Sequence, residues 1–146
     1  SILIMREYSQ HLGLKKIILV GFLLMMLGTV SELYLLNHYE DTLQFIPILS
    51  IGLLLLLVLV LFFYRSHYLH WVFKILLVLT ALSGIYGSFL HLQANYEFEL
   101  EMTPTRSGWD LFLESLSGAL PALAPLSMVV LALIGYSYLI LINYKQ

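Results

Sequence analysis

Four apolar runs dominate this sequence, and each is long enough for a helix to cross hydrocarbon, which takes about 20 residues. They lie roughly at residues 14–37, 45–64, 71–95 and 120–144. Composition agrees, because 60% of the 146 residues are hydrophobic and only 11% are charged, whereas soluble domains carry about 25% charged residues. The sequence therefore predicts an all-α integral membrane protein, a four-helix up-down bundle in which residues 1–146 form a single transmembrane domain.

Charged residues separate by sign along this threading. Basic residues fall beside run ends that would lie together, and they are Arg6, Lys15, Lys16, Arg65, Lys74 and Lys145. Acidic residues fall at the opposite ends, and they are Glu32, Glu40, Asp41, Glu97, Glu99, Glu101, Asp110 and Glu114. Glu7 and Arg106 are the exceptions. Because positive residues in short loops stay cytoplasmic, the pattern predicts two cytoplasmic termini in a plasma (inner) membrane. The first run is longer than a signal-peptide core, and we expect it to be retained.

The segment 96–118 is expected to lie outside the hydrocarbon core, on the acidic side. Ser107 and Asp110 resemble a capping box, with aspartate in place of the usual glutamate. Apolar residues follow at helical spacing, namely Trp109, Phe112, Leu113 and Leu116. This pattern predicts a short amphipathic helix in the outer interface. Residues 97–102 alternate acidic and apolar side chains, which fits either an extended segment or a continuing helix.

Imidazoles and carboxylates gather near the predicted outer end. Glu32 lies inside the first apolar run, where an ionisable residue indicates function by default. His38 and Asp41 follow in the turn after that run. On the third helix one face carries Gly84, Ser88, His91, Asn95 and Glu99. If the first and third helices are neighbours, these groups meet at one depth.

Such a mixture of imidazole and carboxylate suits a transition metal ion such as Zn, Fe, Mn or Cu. The predicted metal ligands are Glu32, His38, Asp41, His91, Asn95 and Glu99. The competing interpretation is structural: a polar loop, a solvated acidic surface and a carboxylate that fixes helix packing. No pair with the spacing of a known metal motif decides between these interpretations.

Two further functions fit the same sequence. A haem b electron-transfer protein would use His38 and His91 as axial ligands. An accessory or assembly subunit would dock its fourth helix and outer segment on a larger membrane partner or on a second copy. Whether the chain is an enzyme stays open, since carboxylates and imidazoles also serve acid–base chemistry.

Several classes are disfavoured. The chain has no cysteine, which excludes disulfides and thiolate metal sites. Its formal charge of −2 and the lack of a basic block argue against nucleic acid as a partner. Polar residues at mid-membrane depth are small or hydroxylic, which disfavours an ion pathway. The expected partner is the lipid bilayer.

Overall fold

The computed structural model describes residues 2–106 and 108–143, and within these residues the protein is helical, with no strand. The helices are α1 (Ile2–Leu35), α2 (Thr42–Phe63), α3 (His67–Met102), α4 (Gly108–Leu116) and α5 (Ser127–Asn143), the last preceded by a 3₁₀ turn at Ala124–Leu126. Four stretches are long and apolar enough to cross a membrane: α1, α2, α3 and Ala124–Asn143. The predicted all-α membrane bundle is confirmed, and α4 is the short helix expected in the outer segment.

Two of the helices are much longer than their apolar runs. At about 1.5 Å per residue, the 34 residues of α1 and the 36 of α3 measure about 51 and 54 Å, against about 30 Å of hydrocarbon. The α1–α2 turn is short, so α1 projects from the bundle at its N-terminal end. In the same way α3 projects at its C-terminal end, and residues 97–102 are helical rather than extended.

The fourth run becomes helical later than position 120. Residues 117–123 form turns and bends, and regular α-helix begins at Ser127. Pro121 and Pro125 account for the delay, since proline has no N–H to donate and disrupts a helix unless it lies in the first turn. The predicted capping box depends on Ser107, which lies outside the described residues.

The four long helices pack in the order α1, α2, α3, α5 around the bundle, so α1 and α3 are diagonal rather than neighbouring. Their side chains still meet in the core, where the rings of Phe22 and Phe73 pack edge to face at 6.2 Å. Gly135 of α5 makes this possible, because a Cβ there would lie 2.6 Å from Leu77 Cδ2 and 2.7 Å from Phe22 Cζ. Close approach at small residues is typical of helix packing in membranes.

The threading gives the bundle two distinct ends. One end, the acidic end, comprises the α1–α2 turn (36–41), the C-terminal part of α3, α4 and the segment 117–126. The opposite, basic end comprises the N-terminal part of α1, the α2–α3 turn (64–66) and the C-terminal part of α5. Which end faces the cytoplasm stays a prediction from the charges.

Candidate functional site

The α1–α2 turn places His38 through a well-defined helix ending. Asn37 adopts a left-handed conformation with φ of 52°, which asparagine tolerates better than most residues. The N–H of His38 donates to the Leu33 carbonyl at 2.8 Å, and the N–H of Asn37 donates to the Tyr34 carbonyl at 3.1 Å. These two bonds form a Schellman motif. The Tyr39 hydroxyl donates to Asn37 Oδ1 at 2.9 Å. The Tyr39 N–H donates to the Asn37 carbonyl, also at 2.9 Å, so the backbone is hydrogen-bonded on both sides of His38.

His91 enters the site from α3 and is oriented by the segment before α5. Its Nδ1 lies 3.1 Å from the carbonyl oxygen of Pro121. A carbonyl only accepts, so Nδ1 carries the proton in this bond, and the lone pair of the ring then belongs to Nε2. Histidines that bind metals commonly donate their other N–H to a backbone carbonyl in this way. The contact therefore fixes both the ring and its tautomer.

The two imidazoles meet at the acidic end. The ring centroids of His38 and His91 lie 6.3 Å apart, with the planes at 79°. The α1–α2 turn thus reaches α3 even though α1 itself is diagonal to it. Partial burial, and then the nearby charge of His91, lower the pKa of His38 below its ordinary value of 6.5. The neutral imidazole is therefore favoured, and this is the form that binds metal ions.

Asn95, one turn beyond His91 on α3, has a structural role. It is 3% exposed. Its side-chain amide donates to the carbonyls of Ser115 at 2.9 Å and Leu120 at 2.7 Å, and its Oδ1 accepts from the Leu120 N–H at 3.0 Å. A Cβ at Gly118 would lie 2.5 Å from Asn95 Cγ, so only glycine lets the chain pass so close. These bonds tie the chain after α4 to α3, and they use both amide hydrogens of a residue that the sequence suggested as a metal ligand.

The three predicted carboxylate ligands do not join the histidine pair. Glu32 is exposed on the surface of α1, and Glu99 is half-buried on α3. Asp41 is the N-cap of α2, with Oδ1 accepting from the Thr42 N–H at 2.6 Å. Among the described residues no group of three or more acidic, histidine or cysteine side chains is placed to hold a metal ion. The structure therefore brings together His38 and His91 without a carboxylate as third ligand.

The sequence interpretation missed how α4 packs. Leu111 and Ser115 are buried on the side of α4 that meets α3, at 2% and 0% exposure. The predicted apolar face points elsewhere: Trp109 and Leu113 are exposed, and the rings of Trp109 and Phe112 lie 5.4 Å apart. The spacing of four between Leu111 and Ser115 was the available signal, but a serine does not register as a buried position in a hydropathy pattern.

Comparison with protein-family models, with curated proteins and with solved structures gave no match. A fold alone does not define an activity, so function has to be argued from the site. What the site offers is two imidazoles, one of them oriented by a backbone carbonyl, in an acidic setting.

Proposed function

We propose that this multi-pass membrane protein binds a divalent transition metal ion, zinc or copper, through His38 and His91 at its acidic end. The observation that carries the proposal is the contact between the two rings, whose centroids are 6.3 Å apart and which come from different structural elements. Imidazole is a good ligand for both ions, and of the first-row divalent ions copper binds nitrogen sites most tightly.

The surrounding charge supports a cation as the ligand. Arg106, in the loop that joins α3 to α4 at the acidic end, is paired with Glu114 at 3.0 Å. The other carboxylates there have no such partner among the described residues. Glu40 and Asp41 lie in the same turn as His38. A surface dominated by one sign of charge raises the local concentration of the opposite ion.

Two protein ligands leave the other coordination positions to water or to an exchangeable group. Such a site binds less tightly than a closed site with four protein ligands, and it exchanges its ion more readily. We therefore infer a role in capturing and passing on a metal ion at the membrane surface, rather than in storing one or in stabilising the fold.

The decisive experiment is equilibrium dialysis of the purified protein against a saturating concentration of Zn²⁺ or Cu²⁺, with the bound metal measured by elemental analysis as the excess over free ion. We expect near-stoichiometric metal in the native chain, and a loss of most of it in His38→Ala and in His91→Ala. His67→Ala, at the basic end, is the matched control and should retain the metal. Equal metal contents in the native chain and in both site variants would refute the proposal.

Haem b on the same two histidines is the second candidate, supported by the same close pairing of two imidazoles from separate elements. It is distinguished by adding haem to the purified protein and recording the absorption spectrum. A Soret band that disappears in both His38→Ala and His91→Ala would replace the metal-ion proposal by this one.

An accessory role is the third candidate, and it depends on α4. Trp109 is 68% exposed and Leu113 is 45% exposed, so the helix has an apolar face that α3 does not cover. Isolation of the native chain as a monomer that still binds metal would argue against an obligatory partner at this face.

A further inference from the structure

An open groove of about 400 Å³ lies beside the α1–α2 turn and along the first two turns of α2. It is separate from the histidine pair, and its lining residues are Tyr39, Glu40, Asp41, Thr42, Phe45, Ile46 and Leu49. The polar members lie in the turn and at the start of α2. The apolar members lie on one side of α2, since Leu49 is four residues from Phe45 and three from Ile46. The groove is therefore acidic at its mouth and apolar along its floor.

The acidic mouth has no counter-ion within the described part of the chain. The Glu40 carboxylate makes no hydrogen bond or ion pair there, while its backbone N–H is held by Gln44 Oε1 at 3.1 Å. One oxygen of Asp41 caps α2, and the other makes no hydrogen bond within the same residues. Arg106 is engaged with Glu114. A ligand that complements this mouth has to bring its own positive charge and several N–H donors.

The apolar floor of the groove is complementary to a hydrocarbon chain. Phe45 is 50% exposed and Leu49 is 53% exposed at the protein surface. Leu49 lies seven residues beyond Thr42, which corresponds to about 10 Å along the helix. A molecule with its head at Glu40 and its tail along α2 would thus run parallel to the helix, as a bilayer lipid does.

We propose that this groove binds phosphatidylethanolamine. The primary ammonium of its headgroup would donate charge-assisted hydrogen bonds to Glu40 and Asp41, and an acyl chain would cover Phe45, Ile46 and Leu49. Tyr39 is held in place by stacking on Tyr34, with ring centroids 5.8 Å apart, and offers an aromatic face beside the same ammonium. A choline headgroup has no N–H to donate, and an anionic lipid is repelled by the two carboxylates.

The test uses the full chain in detergent, with native mass spectrometry measuring binding of phosphatidylethanolamine, phosphatidylcholine and phosphatidylglycerol at equal chain length. We expect the ethanolamine lipid to bind about three- to tenfold more tightly than the other two, the range that two exposed charge pairs provide. The double variant Glu40→Gln/Asp41→Asn should remove this preference, while asparagine keeps the N-cap of α2.

Glu97→Gln/Glu101→Gln is the matched control, because it removes two exposed carboxylates of the acidic end outside the groove, and its lipid preference should equal that of the native chain. A third variant, Leu49→Trp, fills the floor and should weaken all binding at the groove without changing charge. Equal affinity for the three lipids, or an unchanged preference in Glu40→Gln/Asp41→Asn, would overturn the proposal. Since His38 and His91 are retained in these variants, metal loading remains a separate measurement.

Discussion

The two ends of the bundle are held together in different ways. At the acidic end, Asn95 and His91 of α3 reach 20 to 30 residues along the chain to bond Ser115, Leu120 and Pro121. At the basic end, Ser66 caps its own helix by accepting from the Leu69 N–H at 3.2 Å. A Lys74 ammonium also lies 5.7 Å from the centre of the Tyr136 ring there.

This difference matches the position of the candidate site. Hydrogen bonds between distant parts of the chain fix the side chains that form them, whereas a helix cap stabilises only its own first turn. The site therefore lies at the end where α3 and the segment before α5 are tied to each other. Rigid support of this kind is what a binding site requires of its surroundings.

The largest expected effect comes from Asn95→Leu. The substitution leaves the buried Ser115 carbonyl and the part-buried N–H and carbonyl of Leu120 without their partner. A buried polar group that loses its bond costs about 1–3 kcal/mol. We expect the free energy of unfolding in detergent to fall by about 3 kcal/mol. Unchanged stability would show that the acidic end is not held by this residue.

Gly84→Ala should have the next largest effect. A Cβ at this position would lie 2.5 Å from the Pro125 carbonyl oxygen and 2.8 Å from Met128 Cβ, so α3 and the start of α5 would have to separate. Overpacking of this kind costs about 1–3 kcal/mol. Gly52→Ala is the control: a Cβ there meets no atom within 4 Å, and thermal unfolding should show no loss of stability. Equal losses in both variants would contradict the close approach.

At the basic end, Ser66→Ala removes the cap of α3, for which we expect a loss of about 1 kcal/mol. The comparison with Asn95→Leu is then direct, since both variants remove hydrogen bonds between a side chain and the backbone. A loss from Ser66→Ala as large as that from Asn95→Leu would remove the distinction between the two ends.

The smallest effect concerns pH. The pKa of His38 is lowered in the folded protein, so below its ordinary value of 6.5 the unfolded chain takes up a proton that the folded chain does not. Stability should therefore fall as pH decreases through that value and should not change above it on account of this group. His38→Gln should make unfolding less sensitive to acid between pH values of about 7 and 5. A slope as steep as in the native chain would contradict the shift.

The sequence predicted the parts of the fold that follow from the pattern of apolar and polar residues. Runs of apolar residues showed the four long helices, and the pattern from Trp109 onward showed α4. The ends of these helices were harder to predict from the sequence, because the N-terminal part of α1 and residues 97–102 of α3 continue as helix beyond the apolar runs. Nothing in a hydropathy pattern marks where a helix stops once it has left the hydrocarbon.

For the candidate site, the sequence suggested which residues could act as ligands but not what they bond to, as His91 and Asn95 illustrate. Both lie on one face of α3, and both were expected to meet partners from other elements. Side-chain chemistry alone does not tell a ligand from a clamp, since an amide and an imidazole both bond to carbonyls. The positions of Leu120 and Pro121 in the fold are needed to tell whether a side chain on this face holds the backbone or is free to bind a ligand. The sequence left open whether α1 and α3 are neighbours; they are diagonal, and the α1–α2 turn, rather than α1, brings His38 to His91.

The most direct test of the central claim is electron paramagnetic resonance of the protein loaded with one equivalent of Cu²⁺. If His38 and His91 bind the same ion, the native spectrum shows coupling to two imidazole nitrogens, and His38→Ala and His91→Ala each show coupling to one. A spectrum that keeps the same nitrogen coupling when either histidine is removed would contradict the account.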